Sequence, residues 1–169
     1  LFWKSIFLNL MPSNSFNLLL KSKIPGFKRT IEVDADKSLS IRSFIIGSLS
    51  QGISSVFNVL ESEDVKFTIS ACKKLGIKII RVKPGNYKIF GKGLGSFAIK
   101  KNTELNFSNS GTASRLLLGA LSTTPDIHVK IKGDRSLNRR SMKKLIDLLS
   151  KFGATFLPKG KERFPLRMI

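Results

Sequence analysis

The spacing of apolar residues changes character several times along the chain, and it does so twice in the same order. A short extended segment, Thr30-Ile31-Glu32-Val33, precedes an apolar helix that opens at Ser38 and runs to about Leu49. In it Leu39, Ile45, Ile46 and Leu49 are expected towards one side, and Gln51-Gly52 is expected to end it. Ser54 to Leu60 reads as a strand. Glu61-Ser62-Glu63-Asp64 puts acidic residues where a helix should begin, and Val65, Ile69, Cys72 and Leu75 then recur at helical spacing until Gly76. Ile77 to Val82 and Tyr87 to Phe90 predict a hairpin around Pro84-Gly85-Asn86.

The second half repeats this order. Glu104 to Phe107 is a short strand, Gly111 to Leu121 an apolar helix, and Ile127 to Ile131 a strand on which His128 points outward. A helix from about Asn138 carries Met142, Leu145, Ile146, Leu149 and Phe152 on one face and closes at Gly153. Ala154 to Leu157 and Phe164 to Met168 complete the pattern. The expected fold class is α/β, built from tandem βαβαββ units at 36–103 and 104–169. Residues 11–35 form a leading segment, and 1–10 an upstream or non-native leader, with Met11 a plausible start.

Composition adds one unusual number. Against 30 Lys and Arg stand 11 Asp and Glu, a formal net charge of +19, which draws attention to anionic partners. The basic residues are scattered and the aromatic ones are mostly Phe in core-like positions, so nucleic acid is not the expected partner. One Cys and one His exclude an internal disulfide and a Cys/His metal cluster, and no metal site is expected. No apolar run is long enough to span a bilayer, and a cytoplasmic location is expected.

The candidate chemistry sits at helix starts, where unpaired backbone N–H groups and the positive end of the helix dipole favour anions. In Asp36-Lys37-Ser38-Leu39-Ser40-Ile41-Arg42, Ser38 is expected to cap the helix, Lys37 to add a point charge, and Arg42 to lie one turn on. The equivalent place in the second half holds Asn109-Ser110-Gly111-Thr112-Ala113-Ser114-Arg115. There Gly111 lets a ligand approach the backbone, Thr112 offers a hydroxyl, and Asn109 can cap or brace the turn. Gly133-Asp134-Arg135-Ser136-Leu137-Asn138-Arg139-Arg140 leads three arginines into the last helix. Together they suit a ligand with more than one phosphate or carboxylate group.

These stretches, with Leu60-Glu61-Ser62-Glu63-Asp64-Val65, stand in the order and spacing of 5-enolpyruvylshikimate-3-phosphate (EPSP) synthases, which the chain resembles from about Gly26 to its end. The related UDP-N-acetylglucosamine enolpyruvyl transferases usually show Lys-Asn where this chain has Lys37-Ser38, and rank second. A basic module that binds phosphometabolites or RNA is a third reading, separable by its steep salt dependence. Asp34-Ala35 replaces the family's usual Pro-Gly, Ile41 its His or Asn, and Ser141 its Pro.

The resemblance implies a partial lobe of the enolpyruvyl transferase fold, an inside-out α/β barrel. The family's third unit and nearly all of its second lobe, which together carry the acid/base carboxylates, are expected to have no counterpart in this chain. It implies transfer of the enolpyruvyl group of phosphoenolpyruvate to the 5-hydroxyl of shikimate-3-phosphate through a tetrahedral intermediate, without metal or cofactor, by a monomer when full length. The polypeptide alone is expected to be inactive. Carried over, Lys37 would be catalytic and touch both substrates. Ser38 and Arg42 would hold shikimate-3-phosphate, Gly111 and Arg140 would hold phosphoenolpyruvate, and Asp64, Asn109, Thr112 and Arg115 would support them. The herbicide glyphosate, which occupies the phosphoenolpyruvate site in this family, should fit beside Gly111, where insensitive relatives carry Ala.

Overall fold

A computed structural model of the chain describes residues 33–100 and 103–169 together with Leu19 and Thr30. The expected leader, the start at Met11 and most of the extended segment before Lys37 lie outside these residues. Residues Asp34–Ile169 form one compact unit, and the architecture below is that of this unit.

Its first half is α1 (Lys37–Leu49), β1 (Gln51–Val56), α2 (Glu63–Lys74), β2 (Lys78–Lys83) and β3 (Asn86–Lys92). Its second half is β4 (Thr103–Asn106), α3 (Gly111–Leu121), β5 (Val129–Lys132), α4 (Arg135–Arg139), α5 (Lys143–Lys151), β6 (Phe156–Leu157) and β7 (Leu166–Met168). Two sheets result, an antiparallel one ordered β1-β3-β2 and a mixed one ordered β4-β5-β7-β6. The repetition read from the sequence is therefore a repetition of topology: β5-β7-β6 has the order of β1-β3-β2. In the second sheet β4 extends that order as a strand parallel to β5, pairing Thr103 with Val129 and Asn106 with Lys132.

The core lies between helices and sheets. Ile41, Phe44, Val65, Cys72, Leu75 and Ile89 are buried in the first half, and Leu105, Phe107, Leu117, Leu118, Leu121 and Ile131 in the second. Burial of several such side chains, at about 1.5–3 kcal/mol each, is what fixes the helices on their sheets. The α1 helix packs against α2, α3 and β3, so it is covered on several sides. That corrects the expected one-sided stripe: Leu39 and Ile46 are exposed, and Ser40, Gly47 and Ser48 are buried instead. Small residues permit the close approach. A Cβ on Gly47 would stand 2.9 Å from Ile89 Cδ1, and one on Gly91 would stand 2.2 Å from the carbonyl oxygens of Gly47 and Ser50.

Three element boundaries also differ from expectation. Gln51-Gly52 does not form the end of α1 but opens β1, because Ser50 already caps the helix through its N–H to Ile46 O. The strand expected at Ser54–Leu60 therefore starts and ends earlier. The last helix is broken: α4 stops at Arg139, and Arg140 in extended backbone separates it from α5. Phe152 is exposed rather than packed with Leu149. Gly76 and Gly153 both follow a helix with φ of +83° and +96°, the left-handed conformation that a helix end needs and glycine adopts without a Cβ clash. Among the described residues no helix is long and apolar enough to cross a membrane.

Candidate functional site

The parallel pair β4–β5 sets up one end of the second sheet. The chain leaves β4 through Phe107–Ser110 into α3, and leaves β5 through Gly133–Asp134 into α4. Ligands of parallel α/β sheets gather where such loops leave the carboxyl ends of adjacent strands. Here the two loops are stitched together, Phe107 N–H donating to Lys132 O and Asp134 N–H to Ser108 O at 2.8 Å. Asn138 stiffens the basic turn further, accepting from Gly133 N–H at 2.9 Å and donating back to Gly133 O at 3.0 Å. Asp134 caps α4 by accepting from Leu137 N–H.

This scaffold carries Arg140 to the start of α3. One guanidinium nitrogen of Arg140 donates to Asn109 Oδ1 at 2.8 Å. A Cβ on Gly111 would lie 3.0 Å from another Arg140 nitrogen and 3.6 Å from one of Arg115. Two guanidinium groups thus converge on a bare Cα at a helix N-terminus, an arrangement suited to a phosphate or carboxylate. Asn109 braces Arg140 and leaves the capping to Ser110, whose hydroxyl accepts from Ala113 N–H. Thr112, half-buried, is the second residue of α3.

The first half builds a second cationic point. Asp36, not Ser38, caps α1, its carboxylate accepting from Leu39 N–H at 2.6 Å. Lys37 and Ser38 are consequently the first two helical residues, with Arg42 one turn beyond Ser38 and exposed. Lys37 Nζ pairs with Asp64 at 2.9 Å, joining the first turns of α1 and α2. Ile41, in place of the family's polar residue, is buried in the core. Ser141, in place of its proline, accepts from Lys143 N–H and so helps to open α5.

The structure brings six of the nine expected residues together in two clusters, Lys37 with Asp64 and Asn109–Gly111–Arg115–Arg140, while among the described residues Ser38, Arg42 and Thr112 make no side-chain hydrogen bond or ion pair with either. Sequence reasoning did not single out Asp36 and Ser110 as caps, although an acceptor three residues before a helical N–H is the usual signal. Glu61, read only as part of an acidic helix start and of a family motif, lies before the Ser62 cap of α2 and has a further role. That carboxylate accepts from Arg81 Nε and Nη2, at 2.8 and 2.6 Å, and also from the Gly85 N–H and the Tyr87 hydroxyl, each at 2.8 Å. The Arg81 hydrogen bonds, and next the Gly85 amide, hold its pKa down at about 2. Buried Cys72 is the reverse case, its thiol pushed up to about 11 by desolvation.

A family model for EPSP synthase (3-phosphoshikimate 1-carboxyvinyltransferase) matches residues 22–167. The chain belongs to the EPSP synthase family. A 3-phosphoshikimate 1-carboxyvinyltransferase of Leptospira interrogans is 43% identical over 141 residues, which is 83% of this chain and 32% of that protein. One from Jannaschia sp. is 39% identical over 140 residues, covering 83% and 31%. Among solved structures, an EPSP synthase from Acinetobacter baumannii matches 82% of this chain and 31% of its own, with a TM-score of 0.74 and 32% identity. The chain therefore spans about a third of the length of the curated relatives it matches. Its mixed α/β fold is that of EPSP synthases, of which it represents part.

Proposed function

We propose that this chain supplies part of an enolpyruvyl transferase that joins phosphoenolpyruvate to the 5-hydroxyl of shikimate-3-phosphate and releases phosphate. The observation that carries this reading is the convergence of Arg140 and Arg115 on Gly111, with Asn109 orienting Arg140. Arg140 would take phosphoenolpyruvate's anionic groups as a two-pronged donor, and the missing Cβ at Gly111 would let that substrate lie against the backbone. Ser38 and Arg42, on one side of α1, would hold shikimate-3-phosphate. Lys37 would reach both substrates and offset negative charge on the phosphate as it departs from the tetrahedral intermediate. Charges held in place before the reaction act there without reorganisation. Asp64 would keep Lys37 directed, with Thr112 and Arg115 in support.

We read residues 36–103 and 104–169 as two βαβαββ units of one lobe of a cytoplasmic protein that works as a monomer. The proton-transfer groups of the family have no counterpart in these residues. Two measurements test the assignment. A protein carrying this chain at its relatives' length should release phosphate only when both substrates are present, and UDP-N-acetylglucosamine should not replace shikimate-3-phosphate. The 169-residue polypeptide alone should release none above background. Turnover with UDP-N-acetylglucosamine as acceptor would refute the substrate assignment.

A further inference from the structure

The Leu60–Glu61 segment lies between β1 and α2, outside both anion clusters, yet it is tied to more of the first half than any single contact needs. The Ser40 hydroxyl, on α1, accepts from Leu60 N–H at 3.0 Å and donates to Asp36 O at 2.7 Å. That fixes the residue just before Glu61 to the turn that bears Lys37. Glu61 itself grips the β2–β3 turn through Arg81, Gly85 and Tyr87. Val59 N–H adds a bond to Gly85 O at 2.8 Å. Tyr87 in turn packs edge-on against Phe44 of α1, ring centroids 5.1 Å apart. Three residues after Glu61 comes Asp64, the partner of Lys37.

We propose that Glu61 is a positioning residue. By locking the β2–β3 turn to the start of α2, it holds Asp64 where it meets Lys37, and so sets the direction in which the lysine ammonium points. The inference rests on the reading of Lys37 as a substrate-contacting residue, but its geometric core concerns the ligand-free protein. Lys37 is half exposed, and an ion pair that leaves a long lysine side chain open to solvent is loose on its own, because holding it in place costs side-chain entropy. A buttress that fixes the backbone of one partner removes part of that cost. All four of these Glu61 hydrogen bonds go to the β2–β3 hairpin, so its loss should release that hairpin's turn without emptying the core.

The test reads the side-chain amine signal of Lys37 by 15N NMR in wild type, Asp64→Asn and Glu61→Gln. In Glu61→Gln the signal should move at least half-way to its Asp64→Asn position, while amide signals of α3 stay in place. A merely structural contribution would shift both or neither. If Glu61→Gln does not fold, Arg81→Lys, which keeps the charge but loses the two-pronged contact, should give the same displacement. A Lys37 signal at its wild-type position in a folded variant overturns the proposal. Titration with shikimate-3-phosphate separates the two levels. Wild-type binding that falls at least fivefold in Glu61→Gln supports the positioning role, and equal affinities contradict it. Failure of wild type to bind counts against the role of Lys37, and the NMR comparison then decides on Glu61 alone.

Discussion

A lysine in the first turn of a helix opposes its own helix dipole, and α1 has no acidic residue in that turn to compensate. Lys37 is tolerated because Asp36 caps the turn and Asp64 reaches across from α2. A cation kept at an anion-binding end points to a ligand more than to stability. Glu61 is the stabilising carboxylate nearby. Its pKa is lowered from 4.5 to about 2 in the folded protein, so its contribution is fully present above about pH 4.5 and is lost as the pH falls towards 2. Glu61→Gln should therefore melt below wild type at pH 7, and the gap should close across that window. A gap that stays constant down to pH 2 would contradict the assignment. At Gly111 a methyl group would press on the Arg140 guanidinium at 3.0 Å, the movable end of a long side chain. In a protein carrying this chain at its relatives' length, and on the proposed reading of the site, Gly111→Ala should thus give tolerance of glyphosate while weakening phosphoenolpyruvate binding. Leu116, further along α3, is 37% exposed, away from the core. Inhibition curves for both proteins check this, and equal sensitivity would show that the pocket does not reach Gly111.

At the scale of elements, the period of the hydrophobic pattern located α2 and α3 well, because each buries one face. Val65, Cys72 and Leu75 are buried as their spacing requires. It misread α1, because a helix packed against two other helices and a strand has no single buried stripe. Its core positions include Ser and Gly, which no hydrophobicity count registers. The break at Arg140 was equally hidden, since Asn138, read as the start of the last helix, sits near the end of the short α4 and braces Gly133. Close backbone packing yields a direct contrast. Gly91→Ala would drive a Cβ to 2.2 Å from two carbonyl oxygens, whereas at Gly119 nothing lies within 4 Å. Gly91→Ala should destabilise by roughly 3 kcal/mol or more, as overpacking against rigid backbone does. Gly119→Ala, inside α3, should stabilise by about 0.5–1 kcal/mol. Urea titrations of the two variants test both signs.

At the scale of the whole unit, repetition explains what one half lends the other. The α2 helix is covered by β4 and α3 of the second half. Its counterpart α5 has only Leu149 buried, while Leu148 and Phe152 are 52% and 75% exposed. Apolar faces of that kind drive association, so the 169-residue polypeptide should self-associate on a sizing column, and Leu148→Lys with Phe152→Lys should reduce it. A concentration-independent monomer before substitution would count against an uncovered α5. The two anion clusters were legible from residue types at helix starts and from the family's motifs. The network around Glu61 was not, because its partners are distant in sequence and meet only when the hairpin folds. Everything proposed for function converges on Lys37 and Arg140. The most direct measurement is phosphate release from phosphoenolpyruvate and shikimate-3-phosphate by a protein carrying this chain at its relatives' length, with Lys37→Ala and Arg140→Ala alongside. Each substitution should lower turnover roughly a hundredfold, the effect of losing about 3 kcal/mol of transition-state stabilisation, and near-normal rates in either variant would contradict the site.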